Sequence, residues 1–376
     1  MLITEILKKK EEYKEEIKRM QKMEFPIILF GAGKTKEYNL QFFHKLGISP
    51  VAFCDNAPEK QGKIVGNIPI LSLEQVRQQY PTAYFYITTQ MFYTEIRQQL
   101  LNAGCEEEKI SEYDIVFQLQ WEENCMNYYK QHEAQVDWLY ENLADEESRK
   151  VLKNRLLFLR TRNRNYMLEV RRTHQYFEEE LVDFSKIKCY VDLGMYTGDT
   201  IMEFLKIVGK QYKSIYGFEP DAEIFQIAQD NLKPYDNIIF APLATSDYDG
   251  VTKVEQSLGV MQTIADGIFS SNADGENVFR VCRLDTYFKG SSEKIDMLKM
   301  DIEGAEHATL SGAQERIISD KPVLAVCVYH KQEDILELPL LCKEWVPGYR
   351  IYLRHYSDNQ TETVCYMVSN QEGKNE

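Results

Sequence analysis

At 376 residues the chain is too long for one ordinary domain, and two domains with a connector are expected. Its 44% apolar and 27% charged residues indicate a globular chain, and a formal net charge of −15 argues against wrapping a nucleic-acid backbone. No apolar run approaches a membrane span and the Lys/Glu-rich start lacks a signal-peptide core, which predicts a cytoplasmic protein without a membrane partner. The eight cysteines form no C-x-x-C pair, which speaks against zinc-ribbon and thioredoxin-like chemistry.

Residues 1–24 read as one charged helix with a thin apolar stripe of Leu2, Ile3, Ile6, Ile17 and Met20, solvated and lightly packed on the next domain. A partner helix in a dimer is the alternative; the sequence leaves the oligomeric state open. Residues 25–113 alternate strand and helix signals. Pro26–Phe30 runs into Gly31-Ala32-Gly33, a helix then extends to about Leu46, and Pro50–Cys54 ends in Asp55. Ala83–Thr88 is another strand, and Tyr93–Asn102 a helix stopped by Gly104. This alternation predicts a small Rossmann-like domain with a parallel sheet.

Residues 114–186 carry no convincing strand, and Val136, Leu139, Leu143, Val151, Leu152, Leu156 and Leu159 recur at helical spacing, so a helical connector is predicted. Within it Arg155, Arg160, Arg162 and Arg164 with Tyr166 could meet a phosphate, but read better as a solvated helix face.

Residues 187–376 form a second α/β domain. Strand signals fall at Ile187–Leu193, Ser214–Glu219, Ile238–Leu243, Ile295–Asp301, Val323–Tyr329, Arg350–Tyr356 and Thr363–Val368, with helices between the first five. An extra segment, Val251–Asp285, looks like strands and loops. The short polar turn Ser357-Asp358-Asn359-Gln360 makes a hairpin of the last two strands, so the final strand is antiparallel. Five parallel strands and then such a hairpin is the plan of the class I, Rossmann-like methyltransferases.

The chemistry gathers at the carboxyl ends of these strands, where ligands bind in open α/β sheets. The first ends Asp192-Leu193-Gly194-Met195-Tyr196-Thr197-Gly198-Asp199-Thr200. Glycines at such a turn admit a ligand close to the backbone. Flanking Asp192 and Asp199 would repel a pyrophosphate but suit a ligand with an ammonium and a sulfonium, such as S-adenosylmethionine. The second strand ends Gly217-Phe218-Glu219-Pro220-Asp221, with Glu219 roughly 25 positions after Gly194, as expected of a ribose-binding acid. Capping of the next helix suits Asp221 better than Glu219. The fourth strand ends in Asp301 and Glu303, the fifth in His330, and the sixth in Arg354-His355-Tyr356. His330 is by its ordinary pKa the general base, with Asp301 and Glu303 orienting it, binding acceptor hydroxyls or holding a divalent metal. With no third carboxylate at helical or strand spacing, no metal is expected.

The segment from about Tyr176 to Met367 resembles the FkbM family of methyltransferases. The residues that carry this are Val191-Asp192-Leu193-Gly194 with Gly198-Asp199-Thr200, Gly217-Phe218-Glu219-Pro220, Arg283-Leu284-Asp285, Lys299 to Glu306, and Leu310-Ser311-Gly312-Ala313. The resemblance implies S-adenosylmethionine as cofactor and O-methylation of a small-molecule or glycan acceptor. Cofactor contacts fall on Asp192, Gly194, Tyr196, Gly198, Asp199, Thr200, Glu219, Pro220 and Asp221. Met195 stands where a smaller residue is expected and would narrow the loop. The first domain is similar to the small Rossmann-like domains of bacterial sugar-modifying enzymes through Gly31-Ala32-Gly33 and Asp55-Asn56, which suggests a nucleotide-sugar-like ligand or a structural role. Lys36 replaces the third glycine of a dinucleotide loop, and Lys34 and Lys36 could meet a phosphate. Two rivals stay open: an NAD-dependent oxidoreductase or epimerase using Gly31, Gly33 and Asp55, and a non-catalytic cofactor-sensing protein.

Overall fold

The computed structural model describes residues 2–89, 92–116, 119–253 and 278–369. The chain is α/β and packs as two compact units, one made of Met1–Gln131, Lys153–Arg171 and Ser357–Gln360, the other of His132–Leu152, Arg172–Tyr356 and Thr361–Glu376.

The start of the first unit departs from the single expected helix. It forms α1 (Leu2–Leu7) and α2 (Glu12–Gln21). The intervening Lys8-Lys9-Lys10-Glu11 offers nothing apolar to bury, and the helix breaks there. Nor is α2 merely solvated. Glu16 is buried and accepts hydrogen bonds from the Tyr84 hydroxyl and, at 3.1 Å, from Ser111 Oγ.

The sheet of this unit contains β1 (Ile27–Phe30), β2 (Ala52–Cys54), β3 (Ile64–Val65), β4 (Ile68–Leu71) and β5 (Tyr84–Ile87), in the order β3-β4-β2-β1-β5. All neighbours are parallel except the β3–β4 hairpin. Ile27 and Leu29 enter one buried cluster, Ile28 and Phe30 another. A strand covered on both faces must be apolar throughout, which is why β1 reads as an unbroken run. Helices α3 (Lys36–Lys45), α4 (Leu73–Gln79) and α5 (Tyr93–Asn102) come after β1, β4 and β5, and α6 (Leu119–Gln131) lies later in this unit.

Next come α7 (Glu133–Asn142), α8 (Glu146–Thr161) and α9 (Asn165–Leu168). The arginines expected on a solvated face are largely interior, a correction to that reading. Arg155, Arg162 and Arg164 are buried, and Arg164 pairs with Asp114 at 3.1 Å and Asp358 at 3.0 Å, all within the first unit. Arg164 also lies over the Tyr93 ring. Only Arg160 keeps a more open position, paired with Glu11 at 3.1 Å. The buried Arg164 guanidinium, already matched by two carboxylates, is structural, and Arg155 donates to the Gln360 carbonyl.

The second unit carries the sheet that positions the site. Its strands are β6 (Cys189–Leu193), β7 (Ser214–Phe218), β8 (Ile238–Ala241), β12 (Met297–Met300), β13 (Val323–Cys327), β14 (Tyr349–His355) and β15 (Thr363–Ser369). A separate small sheet is formed by β9 (Ala244–Thr245), β10 (Gly250–Lys253) and β11 (Val278–Cys282). The middle of the extra segment, 254–277, lies outside the described residues. The main order is β14-β15-β13-β12-β6-β7-β8, with β8, β7, β6, β12 and β13 mutually parallel and β15 antiparallel between β13 and β14. All seven expected strands are present, with ends displaced by one or two residues. Helix α10 (Asp199–Val208) buries Ile201, Phe204, Leu205 and Val208, a stripe at helical spacing, and Phe204 lies 4.6 Å from the Tyr190 ring.

Candidate active site

The main sheet brings four strand ends together: β6, β7, β12 and β13. Asp192 and Lys299 are register partners on β6 and β12, and their side chains meet at 3.0 Å with 0% and 3% exposed. Lys299 Nζ also donates to the Gly194 carbonyl at 2.7 Å and lies over the Tyr176 ring. Burial works against the ammonium, but Asp192 and Asp301 outweigh it and hold its pKa above the ordinary value. The Asp192 carboxylate is thus matched from within rather than turned toward a ligand.

The loop after β6 is fixed by backbone. The Gly194 and Met195 amides both donate to the Phe218 carbonyl at 3.0 Å, and Gly198 donates to Met195 at 2.8 Å. Gly194 has φ +74°, and a Cβ there would collide with the Asp301 carbonyl. Left-handed backbone alone costs a Cβ-bearing residue about 1–2 kcal/mol. Gly194→Ala is therefore expected to lower the melting temperature and to weaken cofactor binding, read by calorimetry; a wild-type melting curve would show the turn to be tolerant. Met195 does not narrow the loop as expected. It is fully buried, with its sulfur in the space that Gly217 leaves by lacking a side chain. Tyr196, at φ +47° and 51% exposed, is the aromatic group the loop presents outward. Asp199 is exposed, and Thr200 is buried near Asp192.

At the end of β7, Glu219 is 8% exposed and accepts the Asp221 amide at 2.9 Å and the Tyr196 amide. Burial pushes its pKa up to about 7. Pro220 comes next, and Asp221 caps α11 (Ala222–Leu232) by accepting the Glu223 and Ile224 amides at 2.9 and 3.0 Å. One Asp221 oxygen is thereby committed to the helix.

Beyond β12 the chain turns at once, with Glu303 at φ +56°, so Asp301 and Glu303 are not set parallel by an extended strand. Both nevertheless face His330. Its Nε2 lies 3.5 Å from Asp301 Oδ1 and 3.6 Å from Glu303 Oε2, and its Nδ1 is 2.8 Å from Glu306 Oε1. Tyr176 donates to Asp301 Oδ2 at 2.6 Å, Tyr329 to Glu362 at 3.2 Å, and Gln175 to Glu362 at 2.7 Å. Burial works against a charged His330, but the hydrogen bond to Glu306 and the nearby Asp301 and Glu303 outweigh it and push its pKa up to about 9. The expectation of an imidazole titrating near its ordinary value is not met. Burial pushes Glu303 up to about 7.

Sequence reasoning gave no role to Tyr176, Lys299, Glu306 or Glu362. Glu306 is the third carboxylate thought absent. It is fully buried at the first position of the helix Glu306–Gly312, and a buried acid one turn past a strand end was the available signal. The sixth strand end stays out of the cluster: His355 is buried against Thr363 at 2.9 Å, and Arg354 pairs with Asp145 at 2.7 Å. In the first unit Asp55 accepts the Ala32 amide at 2.7 Å and pairs with Lys60 at 3.0 Å, so the acid a dinucleotide ribose would need is already engaged. No helix among the described residues is long and apolar enough to cross a membrane.

The strand order, the glycine turn after β6 and the acid after β7 define a Rossmann-like methyltransferase that uses S-adenosylmethionine. Residues 192–350 match the family model of the methyltransferase FkbM domain, and the chain carries a methyltransferase domain of that kind. Residues 23–111 match the model described as C2185-like, N-terminal. Among solved structures, methyltransferase FkbM from Methylobacillus flagellatus KT shares the fold, with TM-score 0.69 and 20% identity over 94% of this chain and 92% of that one. Fibrillarin from Aeropyrum pernix, in complex with natively bound S-adenosyl-L-methionine, is far less alike, with TM-score 0.31 and 14% identity over 48% of this chain and 66% of that one. The curated proteins give no match.

Proposed function

We propose that the second unit transfers the methyl group of S-adenosylmethionine to a hydroxyl oxygen of a sugar, glycan or other small metabolite. The observation that carries this reading is that one edge of the main sheet holds two unlike acid sites: Glu219 after β7, under the glycine loop, and, on the other side of β6, Glu303 after β12, beside His330. The first site fits the donor. Gly194 leaves room for close approach, the nearly buried Glu219 carboxylate seeks hydroxyl donors such as those of a ribose, and the open Asp199 suits a cationic ligand. Gly198, Thr200, Pro220 and Asp221 shape its walls, and Tyr196 supplies an exposed ring. The donor, when bound, supplies a methyl group already activated on a sulfonium.

The protein then has to align a nucleophile and accept a proton. Glu303 is the carboxylate placed for that. Its side chain is 43% exposed, whereas Asp301 is held by Tyr176 and Glu306 is buried against Nδ1 of His330. His330 and Asp301 position it.

Glu219→Ala is expected to weaken S-adenosylmethionine binding by about 1.5–3 kcal/mol, through loss of charge-assisted hydrogen bonds. Unchanged affinity in calorimetry would remove Glu219 from the donor site. Because its carboxyl is pushed up to about 7, protonation below that pH removes the acceptor, and wild-type affinity should fall on acidification. Glu219→Gln should flatten that dependence. The acceptor is to be found by labelled-methyl transfer into fractionated cell extract; incorporation at nitrogen or carbon instead of oxygen would overturn the hydroxyl assignment.

A further inference from the structure

The His330 cluster holds more negative groups than a proton acceptor and its supports require. Its nitrogen Nε2 is the telling atom. The side chain is 1% exposed, and Nε2 has no hydrogen-bond partner among the described residues. It points between two carboxylates, Asp301 Oδ1 at 3.5 Å and Glu303 Oε2 at 3.6 Å. A buried ring nitrogen left this way is costly, and an occupant between it and the carboxylates removes the cost.

The spacing says what kind of occupant. Two donors on one ion, each at about 2.1 Å, stand about 3.0–3.6 Å apart when they subtend about 90–120°. Nε2 meets both carboxylates near the wide end of that range. One donor atom from each of Asp301, Glu306 and His330 also falls within 4.8 Å of the others. Glu306 completes the pattern from behind. It is 0% exposed, its Oε1 accepts the Ile302 amide at 3.1 Å, and its contact with Nδ1 at 2.8 Å would fix the tautomer whose lone pair is on Nε2. A carboxylate behind a histidine is the usual second layer of a metal site. Lys299 acts on Asp301 through its charge, but its ion pair and hydrogen bond go to Asp192 and the Gly194 carbonyl.

We propose that His330 Nε2, Asp301 and Glu303 bind a divalent first-row transition-metal ion, with Glu306 orienting the imidazole. One imidazole nitrogen and two carboxylate oxygens favour manganese, iron, cobalt or zinc over magnesium or calcium. The coordination is open on the side of Glu303, where an acceptor oxygen can enter, and a bound Glu303 keeps its second oxygen for the proton. The inference rests on the proposed function only for what enters that open side.

The test uses the full chain, stripped with a chelator and titrated with manganese chloride, with electron paramagnetic resonance and calorimetry as readouts. One ion per chain is expected, retained in excess magnesium. His330→Gln and Asp301→Asn should each weaken uptake by at least about ten-fold, and Glu306→Gln by about 10–100-fold. S-adenosylmethionine affinity of the same samples should stay close to wild type, which also reports that the variants are folded. A preparation that binds S-adenosylmethionine but takes up neither manganese nor zinc overturns the site. So does uptake unchanged in both His330→Gln and Asp301→Asn. Metal uptake without any S-adenosylmethionine binding would uphold the site and count against the proposed function instead.

Discussion

Lys299→Met is expected to cost the folded protein about 3–5 kcal/mol, the range for removing one partner of a buried ion pair. Methionine replaces much of the aliphatic stem, so the loss is mainly electrostatic. The Asp192 carboxylate, 0% exposed, would be left without its cation, and the Gly194 carbonyl without its donor. The direction of the lysine's pKa gives the pH window. The folded pKa of Lys299 is raised, so its contribution is complete below the unfolded value and is lost only as pH climbs through the folded one. The penalty should therefore persist as pH rises through neutrality, and shrink on the acid side, where Asp192, its pKa raised by burial, takes up a proton. Lys299→Met combined with Asp192→Asn should recover a large part of it, since no charge is then stranded. Denaturant unfolding measures both. Equal losses in the single and double variants would show that the pair contributes by packing alone.

The second large effect is on rate. Glu303→Gln should lower turnover by ~10²–10⁴-fold while leaving S-adenosylmethionine affinity nearly intact. The amide is close in shape but cannot take a proton. His330→Gln should also lower turnover, because the imidazole is the group against which Glu303 and Asp301 are set, at 3.6 and 3.5 Å. Asp301→Asn should be milder on the proton step, since Tyr176 still holds that side chain through Oδ2 at 2.6 Å in the parent. Full turnover in Glu303→Gln would place the proton acceptor elsewhere in the cluster.

The central strands of the main sheet were legible because β6, β12 and β13 are short runs buried on both faces, β6 and β12 closing on Asp192-Leu193-Gly194 and Asp301. The same property made the strand ends, and hence Asp192, Gly194, Glu219, Asp301, Glu303 and His330, readable as one edge. What escaped was mostly non-local. Lys299 finds Asp192 across a strand pair, and Arg164 finds Asp358 at 194 positions' distance. No helical or strand spacing encodes either, so the arginines looked solvated and the lysine looked idle. The raised pKa of His330 has the same origin, since it depends on Glu306 arriving from another element. Two local signals were simply available: Ser72-x-x-Gln75, which is a capping box on α4, and Gly66-Asn67, the turn of the β3–β4 hairpin. Met195 was misread because Gly217 was viewed alone rather than as the space its side chain fills.

The place of β15 has a consequence for the order of assembly. This strand comes last in the sheet's sequence but is not at its edge; it pairs with β13 on one side and β14 on the other. Until residues 363–369 are in place, β13 presents an open edge and β14 has no strand to join it to the rest. Glu362, the residue just before β15, meets the Tyr329 hydroxyl at the mouth of the acid cluster. During synthesis the sheet can close, and the acid cluster can gain this neighbour, only once residues 362–369 have emerged from the ribosome. A chain stalled before Thr363 would expose two adhesive strand edges beside an unfinished acid cluster.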